Sequence, residues 1–213
     1  MLSKECVILL HGLARSKRSL YKIEKTLVQN GYHVINLGYP STKNDIETLT
    51  NSTIPSALEQ CHNNQKIHFV THSLGGILVR NFLQHNQIDN LGKVVMLGPP
   101  NKGSEIVDKL GSTAIFKMIN GPAGLQLGTE VSSFPNILKK PNYELGIIAG
   151  NKSLSLYSLL MSKPNDGKVT VENTKITGMT DHITLPTTHT FMMNNKMVLN
   201  QVLHFLEKGA FEK

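Results

Sequence analysis

Ser73 stands at an unusual join. The stretch "FVTHSLGGILVRNF", residues 69–82, is an apolar run interrupted by Thr71, His72 and Ser73 and then by Gly75 and Gly76. It predicts a strand that turns sharply into a helix. Small residues two before and two after the serine, here Thr71 and Gly75, let such a turn close and raise the hydroxyl above the sheet. This is the G-x-S-x-G nucleophile elbow with threonine for the first glycine. A serine there is also a good helix cap, but a cap alone leaves the two glycines unexplained, since glycine has the most backbone entropy to lose on folding.

A serine hydroxyl becomes a nucleophile only beside a base, and the base needs an acid to fix its tautomer and stabilise its cation. In the elbow fold the chain order is serine, acid, histidine. His85, His182, His189 and His204 follow Ser73. His182 and His189 lie in "GMTDHITLPTTHTFMMNN", read as the loop before the last helix, where a base can reach back over a sheet. For the acid, Asp166 in "KPNDGKVTV" stands in an Asp-Gly turn. Asp181 is its rival, and Asp108 falls in a helix. Two N–H donors for an oxyanion are expected from Leu74, just past the nucleophile, and from Leu13 in "LLHGLARS".

The elements that must position these groups follow from periodicity. Cys6–Leu10 is a continuous apolar run, the mark of a strand buried on both faces. Leu20, Ile23, Leu27 and Val28 make a helical stripe within residues 16–30, ended by Gly31. Strands are expected at Tyr32–Leu37, Lys66–Thr71, Lys93–Leu97 and Tyr143–Ala149, with a sixth at Lys168–Val171 or Thr174–Thr177. Helices are expected at Asp45–Cys61, Leu74–His85 and Val198–Glu207. Alternating strands and helices imply an α/β, doubly wound, mostly parallel sheet of about six strands. Residues 1–213 read as one domain with a cap-like insertion at about 111–141, rich in glycine and proline, with a short helical piece around Ala114–Ile119. Leu154–Met161 reads as an apolar wall for substrate or as packed loop anchors.

Composition bounds the classes. The chain has 213 residues, 39% hydrophobic and 17% charged, which are globular values. It lacks a run of about 18 apolar residues, so no membrane span is expected. The net charge of +7 is scattered over pairs such as Lys17/Arg18 and Lys139/Lys140, with no aromatic interleaving and no Trp, so nucleic acid is not an expected partner. The apolar core of the first residues is too short for a signal peptide. Cys6 and Cys61 match no metal spacing and read as free thiols in a reducing compartment, hence a cytoplasmic protein.

"VILLHGLARS", "HFVTHSLGGILVR", "VVMLGPPNKGSEIVD", "NDGKVTV" and "HTFMMNN…VLNQVLHFL" together resemble, in order, the landmarks of the α/β-hydrolase superfamily, within it the small lipase- and esterase-like serine hydrolases. The resemblance spans residues 6 to 206. It implies ester hydrolysis by Ser73, Asp166 and His189, with an oxyanion hole at the Leu13 and Leu74 amides. It implies a reduced fold, since His11 comes too soon for the family's early antiparallel strands. His11, Gly12, His72, Pro100 and Met161 are the expected substrate-contacting residues, with residues 98–104 lining the site. No metal or organic cofactor is implied, and the partner is a small-molecule or lipid ester. A thioesterase, amidase or acyltransferase would use the same groups. A binding module on the same fold would have lost them.

Overall fold

The computed structural model describes residues 5–154, 158, 159, 161, 162 and 164–213. Six strands form one sheet in the order β2-β1-β3-β4-β5-β6: β1 (Glu5–Leu10), β2 (His33–Leu37), β3 (Lys66–His72), β4 (Leu91–Leu97), β5 (Leu145–Gly150) and β6 (Asp181–Leu185). Every neighbouring pair is parallel. Reversal of strand order about β1 makes the sheet doubly wound, and sites in such sheets sit beyond the carboxyl ends of the strands.

The continuous apolar runs follow from burial on both faces. Cys6, Ile8 and Leu10 of β1 face one layer, with Phe69 of β3, Met96 of β4 and Ile147 of β5. Val7 and Leu9 face the other, with Val70, Val95 and Ile148. Helices α2 (Ile46–Leu58) and α3 (Leu74–Leu83) cover the first layer through Leu49, Ile54, Ile77 and Leu78. Helices α1 (Tyr21–Gln29) and α8 (Lys196–Lys208) cover the second through Ile23, Leu27, Val202 and Phe205. Each such side chain, taken fully from water, contributes about 1.5–3 kcal/mol. The Asp45 carboxylate caps α2 by accepting the Thr48 N–H at 2.7 Å, and Asn195 caps α8 likewise through Met197.

Three expectations are corrected. Cys6 and Cys61 are not free thiols: they form a disulfide, with Cα atoms 6.0 Å apart, tying β1 to the turn after α2. The ground for expecting a reducing compartment therefore falls away. The sixth strand is not Lys168–Val171 or Thr174–Thr177. Asp166 Oδ1 accepts the Lys168 and Val169 N–H groups, which folds "DGKV" into a turn. Thr170 then caps the short helix α7 (Val171–Thr174). The sixth strand, β6, instead contains His182, which was expected in a loop. The segment between β4 and β5 is more helical than expected, with α4 (Glu105–Leu110), α5 (Ala114–Leu125, kinked at Gly121) and α6 (Phe134–Ile137). Among the described residues no helix is long and apolar enough to cross a membrane. Of the Leu154–Met161 stretch, residues 155–157 and 160 lie outside the described residues, and Leu154 and Leu159 are exposed.

Candidate active site

Strand β3 ends at His72, and α3 begins at Leu74. Ser73 between them has φ 53 and ψ −118, a conformation side chains rarely adopt. Its hydroxyl makes no capping bond to α3, although the residue occupies the N-cap place. The capping explanation therefore fails, and the backbone is held in place from outside. The Ser73 N–H donates to Leu97 O of β4 at 2.9 Å. A Cβ on Gly75 would lie 2.6 Å from the Leu10 carbonyl oxygen, so only glycine lets α3 approach β1 this closely. Leu74 is the first helical residue, and N–H groups of a first turn lack acceptors within their own helix.

The acid and base come from loops beyond β5 and β6. The carboxylate of Asp166 is buried and fully used. Its Oδ1 accepts the Lys168 and Val169 N–H groups at 2.9 and 2.8 Å, and its Oδ2 accepts His189 Nδ1–H at 2.8 Å. The His189 backbone N–H also donates to Asp166 O at 2.9 Å. With its proton on Nδ1, the His189 ring leaves the Nε2 lone pair available. Strand β4 ends beneath this pair. Gly98 has φ +54, and a Cβ there would lie 3.1 Å from both Asp166 Oδ2 and His189 Nδ1.

A cavity of about 430 Å³ opens above these groups, and Ser73 and His189 both line it. Leu13, Arg15, His72, Pro100, Lys168 and Val169 share its floor and mouth. Its outer wall is apolar and comes from α4 and α5: Ile106, Leu110, Ile115, Phe116 and Ile119. The loop carrying Leu13 is constrained, because Ala14 has φ 52 and donates its N–H to Ser41 Oγ at 3.1 Å.

His72 is buried, and its ring lies 4.7 Å from that of His189, centroid to centroid. Its Nε2–H donates to the His189 carbonyl at 3.0 Å, while Nδ1 has no partner among the described residues. Burial, with the positive charge His189 can carry next, pushes its pKa well below the usual histidine value, so the ring is neutral.

Not every expected residue reaches the cavity. His11 is buried and stacks on Tyr39 with centroids 4.2 Å apart. Its Nδ1–H donates to Gly12 O, and its Nε2 accepts the Tyr39 N–H. It shapes the loop after β1 rather than touching a substrate. Gly12 does not line the cavity but packs beneath it, where a Cβ would lie 3.1 Å from the Ser73 Cβ. Met161 is not among the lining residues. The rival His182 is held by Thr174 at 3.0 Å, and Asp181 accepts the Phe211 N–H at the opposite end of β6. Sequence reasoning missed Arg15, Lys168 and the α4 residues Ile106 and Leu110, whereas Ile115, Phe116 and Ile119 fall in the helical piece expected within the cap-like insertion. The i, i+4 pairs Ile106/Leu110 and Ile115/Ile119 were the available signal for the α4–α5 wall.

Among the described residues no group of three or more His, Cys, Asp or Glu is placed to hold a metal ion. What the arrangement offers is a hydroxyl on a strained turn, an imidazole oriented by a carboxylate behind it, and an apolar cavity beside them.

No curated protein matches the sequence. Solved structures match in fold. Bacillus licheniformis lipase BlEst2 in mature form superposes with a TM-score of 0.76 at 21% identity, covering 96% of this chain and 92% of that one. The metagenomic carboxyl esterase MGS0156 gives 0.71 at 15% identity, over 89% and 65% of the two chains. Staphylococcus hyicus lipase gives 0.67 at 12%, over 96% and 95%. At such identities the likeness is one of fold. A family model described as alpha/beta hydrolase fold matches residues 5–116, more than half of the chain, from β1 through the elbow into α5. The chain belongs to the alpha/beta hydrolase fold family.

Proposed function

We propose that this hydrolase cleaves carboxylic esters through Ser73, His189 and Asp166. The observation that carries the reading is the pairing of His189 with Asp166 at 2.8 Å on the wall of the same cavity that Ser73 enters from a strained turn. His189 Nε2 takes the Ser73 proton as Oγ attacks the ester carbonyl. The Leu13 and Leu74 amides receive the oxyanion, an interaction that contributes about 2.7–4 kcal/mol per donor in enzymes of this kind. His189 returns the proton to the leaving alcohol. Water, deprotonated by the same nitrogen, then releases the acid from the acyl-enzyme. His72 and Pro100 contribute to the walls. Each step uses side chains and amides of this chain.

The lipases and the carboxyl esterase that share the fold support ester substrates over other acyl compounds. Residues 111–141 act as a cap, since α5 supplies Ile115, Phe116 and Ile119 to the cavity wall. The Cys6–Cys61 bridge favours an oxidising compartment over the cytoplasm.

The test is labelling by a fluorophosphonate probe together with turnover of p-nitrophenyl esters. Wild type takes the label and turns over. Ser73→Ala keeps its fold by circular dichroism, takes no label and loses at least about 10³-fold in kcat. Full activity in that variant rejects the reading. Faster turnover of acyl-CoA or amides than of esters in wild type reassigns the substrate.

A further inference from the structure

Two cations share the cavity with Ser73, and among the described residues no carboxylate lines it. Arg15 and Lys168 both line it, and its described lining contains no Asp or Glu. Neither makes an ion pair with a carboxylate among the described residues. Asp166, the carboxylate whose charge acts on Lys168, has both oxygens committed to the His189 ring and to backbone N–H groups. The two cations also feel one another. Both side chains are exposed at the cavity mouth, and the pKa of Lys168 lies below the usual lysine value, first because the atoms packed around it reduce its hydration and second because the Arg15 charge is near, with Asp166 opposing both. Like charges brought together at a cavity mouth without a carboxylate between them repel, and an anion bound to both relieves that repulsion.

Both cations are set on the His189 side of the site. Arg15 Nη2 donates to the hydroxyl of Thr190, next to His189, at 3.4 Å. Lys168 follows Asp166 by two residues. Its backbone is fixed by its N–H on Asp166 and by its carbonyl, which accepts Ser104 Oγ–H at 2.6 Å. The alcohol of an ester departs towards the histidine that protonates it, so the alcohol half of the substrate lies among these charges. The acyl half is left to Ile106, Leu110, Ile115, Phe116 and Ile119.

We propose that the site takes esters of medium or long acyl chain whose alcohol carries a phosphate, with Arg15 and Lys168 holding the phosphate and the α4–α5 wall holding the chain. This rests on the Ser73–His189–Asp166 reading. The reaction balances as a hydrolysis: the ester C–O bond breaks, the phosphorylated alcohol leaves with the proton from His189, and water supplies the oxygen and hydrogen of the acid. A planar guanidinium beside an ammonium suits a phosphate dianion, since arginine can bind it through two parallel N–H donors.

The experiment compares 1-decanoyl-glycerol 3-phosphate with uncharged 1-decanoyl-glycerol, and with the butanoyl phosphate ester, at low ionic strength. Wild type is expected to favour the decanoyl phosphate over the neutral ester at least about tenfold in kcat/KM, and over the butanoyl ester at least about tenfold. Lys168→Glu is expected to invert the charge preference, and Arg15→Met with Lys168→Met to bring it to about one. A wild-type ratio at or below one, or a ratio unchanged in these variants, overturns the phosphate assignment. Equal turnover of decanoyl and butanoyl esters overturns the acyl assignment. Calorimetric binding of the decanoyl phosphate to Ser73→Ala reads the anion site without chemistry. Binding lost in Ser73→Ala/Lys168→Glu supports the site even if the catalytic reading fails. No binding to Ser73→Ala alone overturns it. Absent fluorophosphonate labelling of wild type rejects the catalytic reading separately.

Discussion

Asp166 holds His189 through two contacts at once: its side chain accepts Nδ1–H at 2.8 Å, and its carbonyl accepts the His189 N–H at 2.9 Å. The loops after β5 and β6 are thereby clasped at one residue pair. Asp166→Asn keeps the size but presents an amide to the ring and removes the charge that stabilises the imidazolium. In triad enzymes that exchange costs about 10⁴ in kcat. We expect a loss of at least about 10³-fold here, with an unchanged circular dichroism spectrum, measured by steady-state kinetics on a p-nitrophenyl ester.

Gly75 makes the elbow possible. An alanine there meets the Leu10 backbone oxygen at 2.6 Å, and backbone cannot move aside as a flexible side chain can. Gly75→Ala is expected to destabilise by about 1–3 kcal/mol in urea unfolding. Activity should fall further than stability explains, because Ser73 is the residue that shifts.

The Cys6–Cys61 bridge closes a loop of sequence separation 55. Cross-links of this kind stabilise by about 2–4 kcal/mol, largely by limiting the unfolded chain. Cys61→Ser, or dithiothreitol, should lower the urea midpoint accordingly while ester turnover below the transition stays near wild type.

His68 of β3 is buried, with Nδ1 accepting the Lys93 N–H at 2.9 Å. Burial first, then the charges of Lys66 and Lys93, lower its pKa from 6.5 to about 4, against the opposing charge of Glu144. The unfolded chain therefore binds a proton that the native protein refuses between these values. This stability is fully present above pH 6.5 and is lost as pH falls towards 4, up to about 3 kcal/mol. His11, His72 and His182 are shifted in the same direction. Urea titrations from pH 7 to pH 4 should show this acid slope, and His68→Gln should remove about one proton's worth of it.

What was legible in the sequence follows from burial. Strands β1, β3, β4 and β5 are covered on both faces and show it as consecutive apolar residues, CVILL in β1, FV in β3, VVML in β4 and LGIIA in β5. Strand β6, "DHITL", lies at the sheet edge with most of its residues half-buried or exposed, so its pattern was weak. "KVTV" has strand-forming residues, yet Asp166 captures their amides into a turn. Ser73 was legible because a tight turn demands small neighbours. The contact between Asp166 and His189 was expected from chain order and resemblance. The pairing of Cys6 with Cys61 was not, because nothing in a spacing of 55 residues specifies that two thiols meet. Nor were Arg15 and Lys168, which come together only where the fold places both beside one cavity.

The kink of α5 at Gly121 rests on the backbone of Thr42, and Ala123 N–H donates to Asn44 O, so the outer wall of the cavity is moored to the connection between β2 and α2. Ser73, the proposed nucleophile, is mounted elsewhere, between β3 and α3. Selectivity and reactivity thus have separate foundations, and exchange of α4–α6 for another segment would re-tailor the range of acids released while the bond-breaking apparatus kept its alignment.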